Sequence, residues 1–174
     1  MSDAPLDPAT IAALLAATRA VVAAESDALG EAGGWRPAPG EWSVNECVGH
    51  LLEAERRGFA GRIRQILAED RPALATWDEP AVAAARRDDL RDGRDLAAEF
   101  VSLRTDSLAL VESLTSADLG RVGIHPEVGE LRVDALLGEW VHHDRNHVRQ
   151  MLAVTQARVW AQMGNARRFS LQEA

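Results

Sequence analysis

The sequence predicts an all-α fold, a bundle of four helices, and three observations carry that expectation. Apolar residues recur at steps of three and four in four separate stretches, the spacing of one helix face. Those stretches are bounded by strong helix starts and breakers. With five Trp, three Phe and no Tyr, the core is left mainly to Leu, Val, Ile and Ala, a composition that favours helices over sheets.

Asp7 is a good N-cap for the first helix, and Pro8 at its first position gives up no hydrogen bond, because that N–H has no intrahelical partner. Ile11, Leu14, Leu15, Thr18, Val21, Val22 and Leu29 trace its stripe until Gly30, Gly33 and Gly34 end it. From Trp35 to Trp42, two prolines and a glycine make a turn-rich connector whose tryptophans are expected to cap the end of the bundle. Ser43-Val44-Asn45-Glu46 is a capping box. It opens a second helix through Val44, Cys47, Val48, Leu51, Leu52, Phe59, Ile63 and Ile66 to about Glu69. Residues 70 to 92, with Pro72, Trp77 and Pro80, read as a long crossover that holds a short helix between helices two and three.

Helix three carries Leu96, Phe100, Leu103, Ser107, Leu110 and Leu114 on a bundle-type seam. Glycines 120, 123 and 129 and Pro126 then mark a loop, with extended chain near Arg121 to His125. Helix four runs from about Val133 past Val154, and its seam is Leu136, Trp140, His143, His147, Gln150 or Met151, and Val154. Two core positions are therefore histidine. From Gly164 the chain is polar enough to fray.

A chain of 174 residues has the usual size of one domain, expected to span 1–174 with its core at about 7–163. The formal charge of -8 repels a phosphate backbone and argues against general nucleic-acid binding. Cys47 is the only cysteine; no internal disulfide can form, and its place in a helical apolar pattern reads as a packed thiol rather than a nucleophile. The acidic start lacks the basic region of a secretory signal. The Ala-rich stretch from Ala9 to Ala24 is broken by Arg19 and followed by Glu25, short of the ~20 apolar residues of a membrane span. A cytoplasmic protein without membrane contact is the expectation.

Residues at i and i+4 of a helix project side by side, so His143 and His147 can offer two imidazoles to one small ion. His50 lies beside the Cys47, Leu51 and Ala54 stripe of helix two and can face the same interior from the opposite wall. The plain reading is three histidines satisfied separately in the core or at the surface. Burying the pair without partners would cost a few kcal/mol, which a bound metal removes. By helical angle His142 points away from the pair. His125 falls in the loop, where it can line the mouth of the site but is not counted as a ligand.

Four stretches carry a family resemblance: residues 35–43 at the approach to helix two, Cys47-Val48-Gly49-His50-Leu51-Leu52-Glu53-Ala54-Glu55, Phe100-Val101-Ser102-Leu103-Arg104, and residues 140–150 with His143-Asp144-x-x-His147-x-x-Gln150. Together they resemble the DinB-like (DinB/YfiT) superfamily of metal-binding four-helix bundles over nearly the whole chain. The resemblance implies an up-down-down-up topology, a homodimer, and His50, His143 and His147 as ligands of zinc, nickel or a similar divalent ion. Characterised members include thiol-dependent S-transferases and a mycothiol-dependent isomerase, whose larger two-domain form is not matched.

The leading expectation is a metal-dependent transferase that activates a low-molecular-weight thiol against an electrophilic small molecule. The alternatives are a non-catalytic metal-binding stress or scaffold protein and a metal-dependent hydrolase. A metallopeptidase of the His-Glu-x-x-His type is disfavoured, because Asp144 is shorter than the Glu it would replace. Asp144 either orients a ligand or lies on the solvated face. Glu46, Glu53 and Glu55 read as helix-surface or capping charges, and Arg104 as a partner for a carboxylate or for an anionic substrate.

Overall fold

The computed structural model describes residues 6–171. Helix α1 spans Pro8–Leu29, with the Asp7 carboxylate accepting the Thr10 N–H as its cap, and a 3-10 turn at Gly30–Gly34 follows. Helix α2 spans Val44–Glu53 and starts with the reciprocal capping box of Ser43 and Glu46. Helices α3 (Ala60–Ala68), α4 (Glu79–Arg86), α5 (Gly93–Glu112) and α6 (Ser116–Leu119) come next. An antiparallel hairpin of β1 (Val122–His125) and β2 (Gly129–Arg132) leads into α7 (Val133–Trp160).

Contacts at one end of the bundle establish the topology. Asn45 Nδ2 donates to the Arg91 carbonyl at 2.7 Å, so α2 and α5 start together. A Cβ on Gly93 would lie 2.5 Å from the Ser26 carbonyl oxygen, so α5 also starts where α1 ends. Arg158 of α7 donates to the Ala32 carbonyl at 2.6 Å, which brings the end of α7 to that same place. The order is up-down-down-up, and the crossover of residues 69–92 carries the chain back along the bundle so that α5 can run parallel to α2. Its middle is pinned by Leu74 N donating to Ile124 O at 2.8 Å. Arg86 of α4 also pairs with Glu53 and Asp88.

The expected unbroken second helix is divided. Ala54–Gly58 form a π-helical turn between α2 and α3, and α3 stops at Ala68. The wider turn leaves the Arg56 carbonyl leaning on the next turn, where a Cβ on Gly61 would lie 2.0 Å from it. Such turns shift the helix face by one residue, and here Glu55 is inside, 2% exposed.

Apolar packing falls into two clusters. One holds Ile11, Leu15, Phe59, Ile63, Leu137 and Trp140; the other holds Val22, Val48, Leu52, Leu96, Phe100 and Met151. Thr18, Glu55, Arg104, Ser107 and Asp144 form a buried polar layer between them. By length and composition Pro8–Gly34 would suffice to cross a membrane, contrary to the expectation from Arg19 and Glu25. Its Ile11, Leu15 and Val22, however, are buried in the two clusters. The tail expected to fray from Gly164 instead forms a 3-10 turn and a one-turn helix α8 (Arg167–Ser170), held by Arg167 Nε donating to Trp160 O at 2.8 Å. Residues 172–174 of that tail lie outside the described residues.

Candidate metal centre

Histidines 50, 143 and 147 converge. His50 sits in the last turn of α2, and the other two lie one helical turn apart on α7, where i and i+4 side chains share a face. One ring nitrogen from each lies within 4.8 Å of the other two. His50 Nε2 and His143 Nε2 are 2.8 Å apart. Two lone pairs at that distance repel unless a proton or a cation lies between them.

The outer nitrogens of two rings are oriented. His50 Nδ1 donates to Glu79 Oε1 at 2.8 Å, a carboxylate at the start of α4. His147 Nδ1 donates to Gln150 Oε1 at 3.1 Å, three residues on in α7. Each bond holds the ring proton on Nδ1 and leaves the Nε2 lone pair free to ligate. His143 Nδ1 is buried without a hydrogen bond, and Asp144 Oδ1, also unpaired, lies 4.0 Å away. Burial and the neighbouring His143 lower the His50 pKa from 6.5 to about 4. Burial and the other two imidazoles lower that of His147 to about 4 as well. Both rings are neutral ligands at pH 7.

Aromatic rings close the walls. Trp42 stacks on His147 at 6.0 Å between centroids and tilts against His50 at 5.3 Å; Phe59 meets His143 edge-on at 5.2 Å. Trp42 therefore lines the histidines as well as ending the connector, whereas Trp35, 38% exposed, packs under Arg158.

Behind the histidines lies the polar layer, and here the expectations for the carboxylates are corrected. Asp144 is fully buried, not on a solvated face, and accepts from Arg104 Nη1 at 2.7 Å. Glu55 is no surface charge: it pairs with Arg104 and accepts from Ser107 Oγ. Desolvation raises its pKa in spite of Arg104. Glu53 is buried too, between Arg56, Arg57 and Arg86, while Glu46 caps its helix as expected. Arg104 completes its set by donating to the Leu15 carbonyl at 3.1 Å, so its guanidinium serves the interior rather than a substrate. The expected pairing of Arg104 with a carboxylate is found, whereas its two partners, 40 and 49 residues away, carry no local signal of burial.

A cleft of about 590 Å³ opens beside His50 and His143, between α3, the crossover, the hairpin and α7. His125, at the end of β1, lines it. His142 is exposed and its Nδ1 faces Asn146 instead. Cys47 is fully buried, and burial pushes its thiol up to about 12, so it is not a nucleophile. The donor set of three imidazoles, two neutral and oriented through Nδ1, fits a divalent transition metal with positions left open toward the cleft.

Comparison with known proteins agrees with this architecture. A Bacillus licheniformis protein described as a candidate metal-dependent hydrolase is 31% identical over 127 residues, covering 70% of this chain and 69% of its own. A Bacillus mycoides protein described in the same way is 26% identical over 126 residues, with the same coverage. The structure of YfiT from Bacillus subtilis, described as a candidate metal-dependent hydrolase with an unusual four-helix bundle topology, superposes with a TM-score of 0.78. It has 19% identity and covers 90% of this chain and 91% of its own. The sequence signature of the DinB superfamily matches residues 13–151, and the chain belongs to that superfamily.

Proposed function

We propose that this chain binds one divalent metal ion, zinc or nickel, through His50, His143 and His147 and activates a low-molecular-weight thiol for transfer to an electrophilic small molecule. The observation that carries the metal reading is the convergence of three ring nitrogens at the wall of an open cleft. A divalent ion on neutral ligands supplies a Lewis-acid centre that lowers the pKa of a thiol or water bound in an open position. The chain's own residues hold the imidazoles in the ligating tautomer through Glu79 and Gln150, and Trp42 and Phe59 restrict water around them.

The reading as a thiol transferase rests on the engagement of the protein's own groups. Cys47 is buried and protonated, Glu55 and Asp144 are tied to Arg104, and Glu79 is tied to His50. With Cys47 excluded the nucleophile is supplied from outside, and a thiolate suits a site whose one unengaged carboxylate among the described lining residues is the exposed Glu139. The second reading is a hydrolase that uses water, favoured by the description of the Bacillus licheniformis relative. We also propose a homodimer formed by helix packing; light scattering that finds only a monomer at micromolar concentration would refute it.

Elemental analysis should find up to one divalent ion per chain, sharply reduced in His143→Ala or His147→Ala. Full occupancy in the triple alanine variant of the three histidines would overturn the site. Loaded protein should consume bacillithiol, mycothiol, glutathione or coenzyme A when offered a haloarene or epoxide, and chelation or His147→Ala should stop it. Metal-dependent ester or amide hydrolysis without thiol loss would establish the second reading. Full loading without turnover in either assay would favour the alternative of a non-catalytic metal-binding stress or scaffold protein.

A further inference from the structure

The cleft beside the histidines has another wall, which shares Phe59 with the metal centre and is otherwise built from residues that centre does not use. Arg62 of α3 stands in it with Phe59, Trp77, Val128, Leu131 and Leu136. The Arg62 guanidinium lies 5.5 Å from the centroid of Trp77 and donates from Nη2 to the Ala75 carbonyl at 3.3 Å. Its Nε–H is buried without a hydrogen bond. Nearby Arg56 and Arg57 are occupied by Glu53 and Glu99, whereas Arg62 forms no ion pair among the described residues. Burial without a countercharge lowers its pKa, opposed only by the field of Glu127. An arginine held half-buried and unpaired in a cleft is an incomplete anion site, since the planar fork is matched to a carboxylate.

Two further features give the cleft a direction. His125, 8% exposed, accepts the Glu127 N–H at its Nδ1 (3.3 Å), which leaves the proton of the neutral ring on Nε2 as a second donor. The acidic groups of the lining belong to the histidine side: Glu79 is bonded to His50, and Glu139 lies one turn before His143 on α7. In the metal-free chain these carboxylates disfavour a ligand's carboxylate on that side, and Arg62 attracts it. The volume of about 590 Å³ suits a ligand of small-molecule size, for which roughly 300–1,000 Å³ is usual.

We propose that Arg62, stacked on Trp77 and aided by His125, binds the carboxylate of a substrate whose apolar body fills the cleft and whose reactive end lies at the histidines. The position of the reactive end rests on the proposed metal function; the carboxylate subsite does not. A purely structural Arg62 would tie α3 to the crossover through Ala75 and show no preference among ligands.

Calorimetric titration with 4-phenylbutyrate and its neutral amide separates the two. The acid is expected to bind the wild-type protein about tenfold more tightly than the amide, as a charge-assisted pair warrants. That preference should vanish in Arg62→Gln, fall severalfold in Arg62→Lys, and persist in His147→Ala. Because His147→Ala removes the proposed metal ligand, a preserved preference there supports the subsite even if the metal function fails. If Arg62→Gln does not fold by circular dichroism, the Lys variant decides by the same acid-to-amide ratio. Equal affinity of acid and amide for the wild type, binding of neither, or an undiminished preference in the folded Arg62 variants would overturn the proposal. So would loss of the preference in His147→Ala, which would assign the carboxylate to the histidines.

Discussion

Replacement of Arg104 by alanine should expose how much the bundle interior relies on one cation. The guanidinium is fully buried and is the shared partner of Glu55 and Asp144, which are 2% and 0% exposed. Its loss leaves two carboxylates without a countercharge and the Leu15 carbonyl without its donor. Breaking a buried pair in this way costs about 3–5 kcal/mol. At about 2–4 °C per kcal/mol for a chain of this length, Tm should fall by roughly 6–20 °C.

The pH dependence gives the cause its signature. Desolvation already raises the Glu55 pKa, and a carboxyl raised in the folded state contributes stability below its unfolded pKa that is lost as pH rises through the folded one. In Arg104→Ala the rise is larger, so the deficit against wild type should be greatest near pH 8 and narrow toward pH 5. Thermal unfolding followed at 222 nm at both pH values measures it. Arg71→Ala, which breaks an exposed pair with Glu130, is the control and should leave Tm nearly unchanged at both pH values. A loss of under about 1 kcal/mol in Arg104→Ala, or a deficit independent of pH, would show that Glu55 and Asp144 do not depend on Arg104 for their burial.

Three more outcomes are expected. Glu79→Ala and Gln150→Ala should each weaken metal affinity by about 10–100-fold without changing the ligand count, because they orient rather than ligate; competition with a chromogenic chelator reads this. His50 and His147 titrate near 4 in the folded chain against 6.5 ordinarily, so the unfolded state takes up their protons first. Metal-free protein should then lose stability as pH falls from about 6.5 to 4, and a His50→Ala, His147→Ala variant should show a shallower loss over that window. Cys47 should resist a disulfide reagent at pH 8 while folded and react once per chain in guanidinium, as a fully buried thiol with its pKa near 12 requires; fast native labelling would contradict its burial.

Features that depend on neighbours along the chain were legible in the residues alone. Asp7 and Ser43 start helices because their side chains accept N–H groups three residues ahead, and such local chemistry is readable without a fold. The i, i+4 spacing of His143 and His147 fixed their common face, and glycines with Pro126 announced a break and extended chain before His125, although the pairing with β2 was not foreseen. His50 could be referred to the same site only through its stripe and the family resemblance. Tertiary structure decided that the three rings meet, that Glu79 from the crossover steadies His50, and that Trp42 stacks on the pair's far ring.

It also decided which charges are inside. Glu53, Glu55 and Asp144 resemble ordinary helix-surface carboxylates in sequence, since a carboxylate's environment is set by partners brought to it from distant segments. The π-turn at Ala54–Gly58 has no periodic signature; one extra residue in a turn shifts the inward face just where Glu55 meets Arg104. Arg62 and Arg104 carry the same side chain, yet packing surrounds one with two carboxylates and leaves the other over a cleft without an ion pair among the described residues. That difference arises from long-range contacts, whose energies no local spacing encodes.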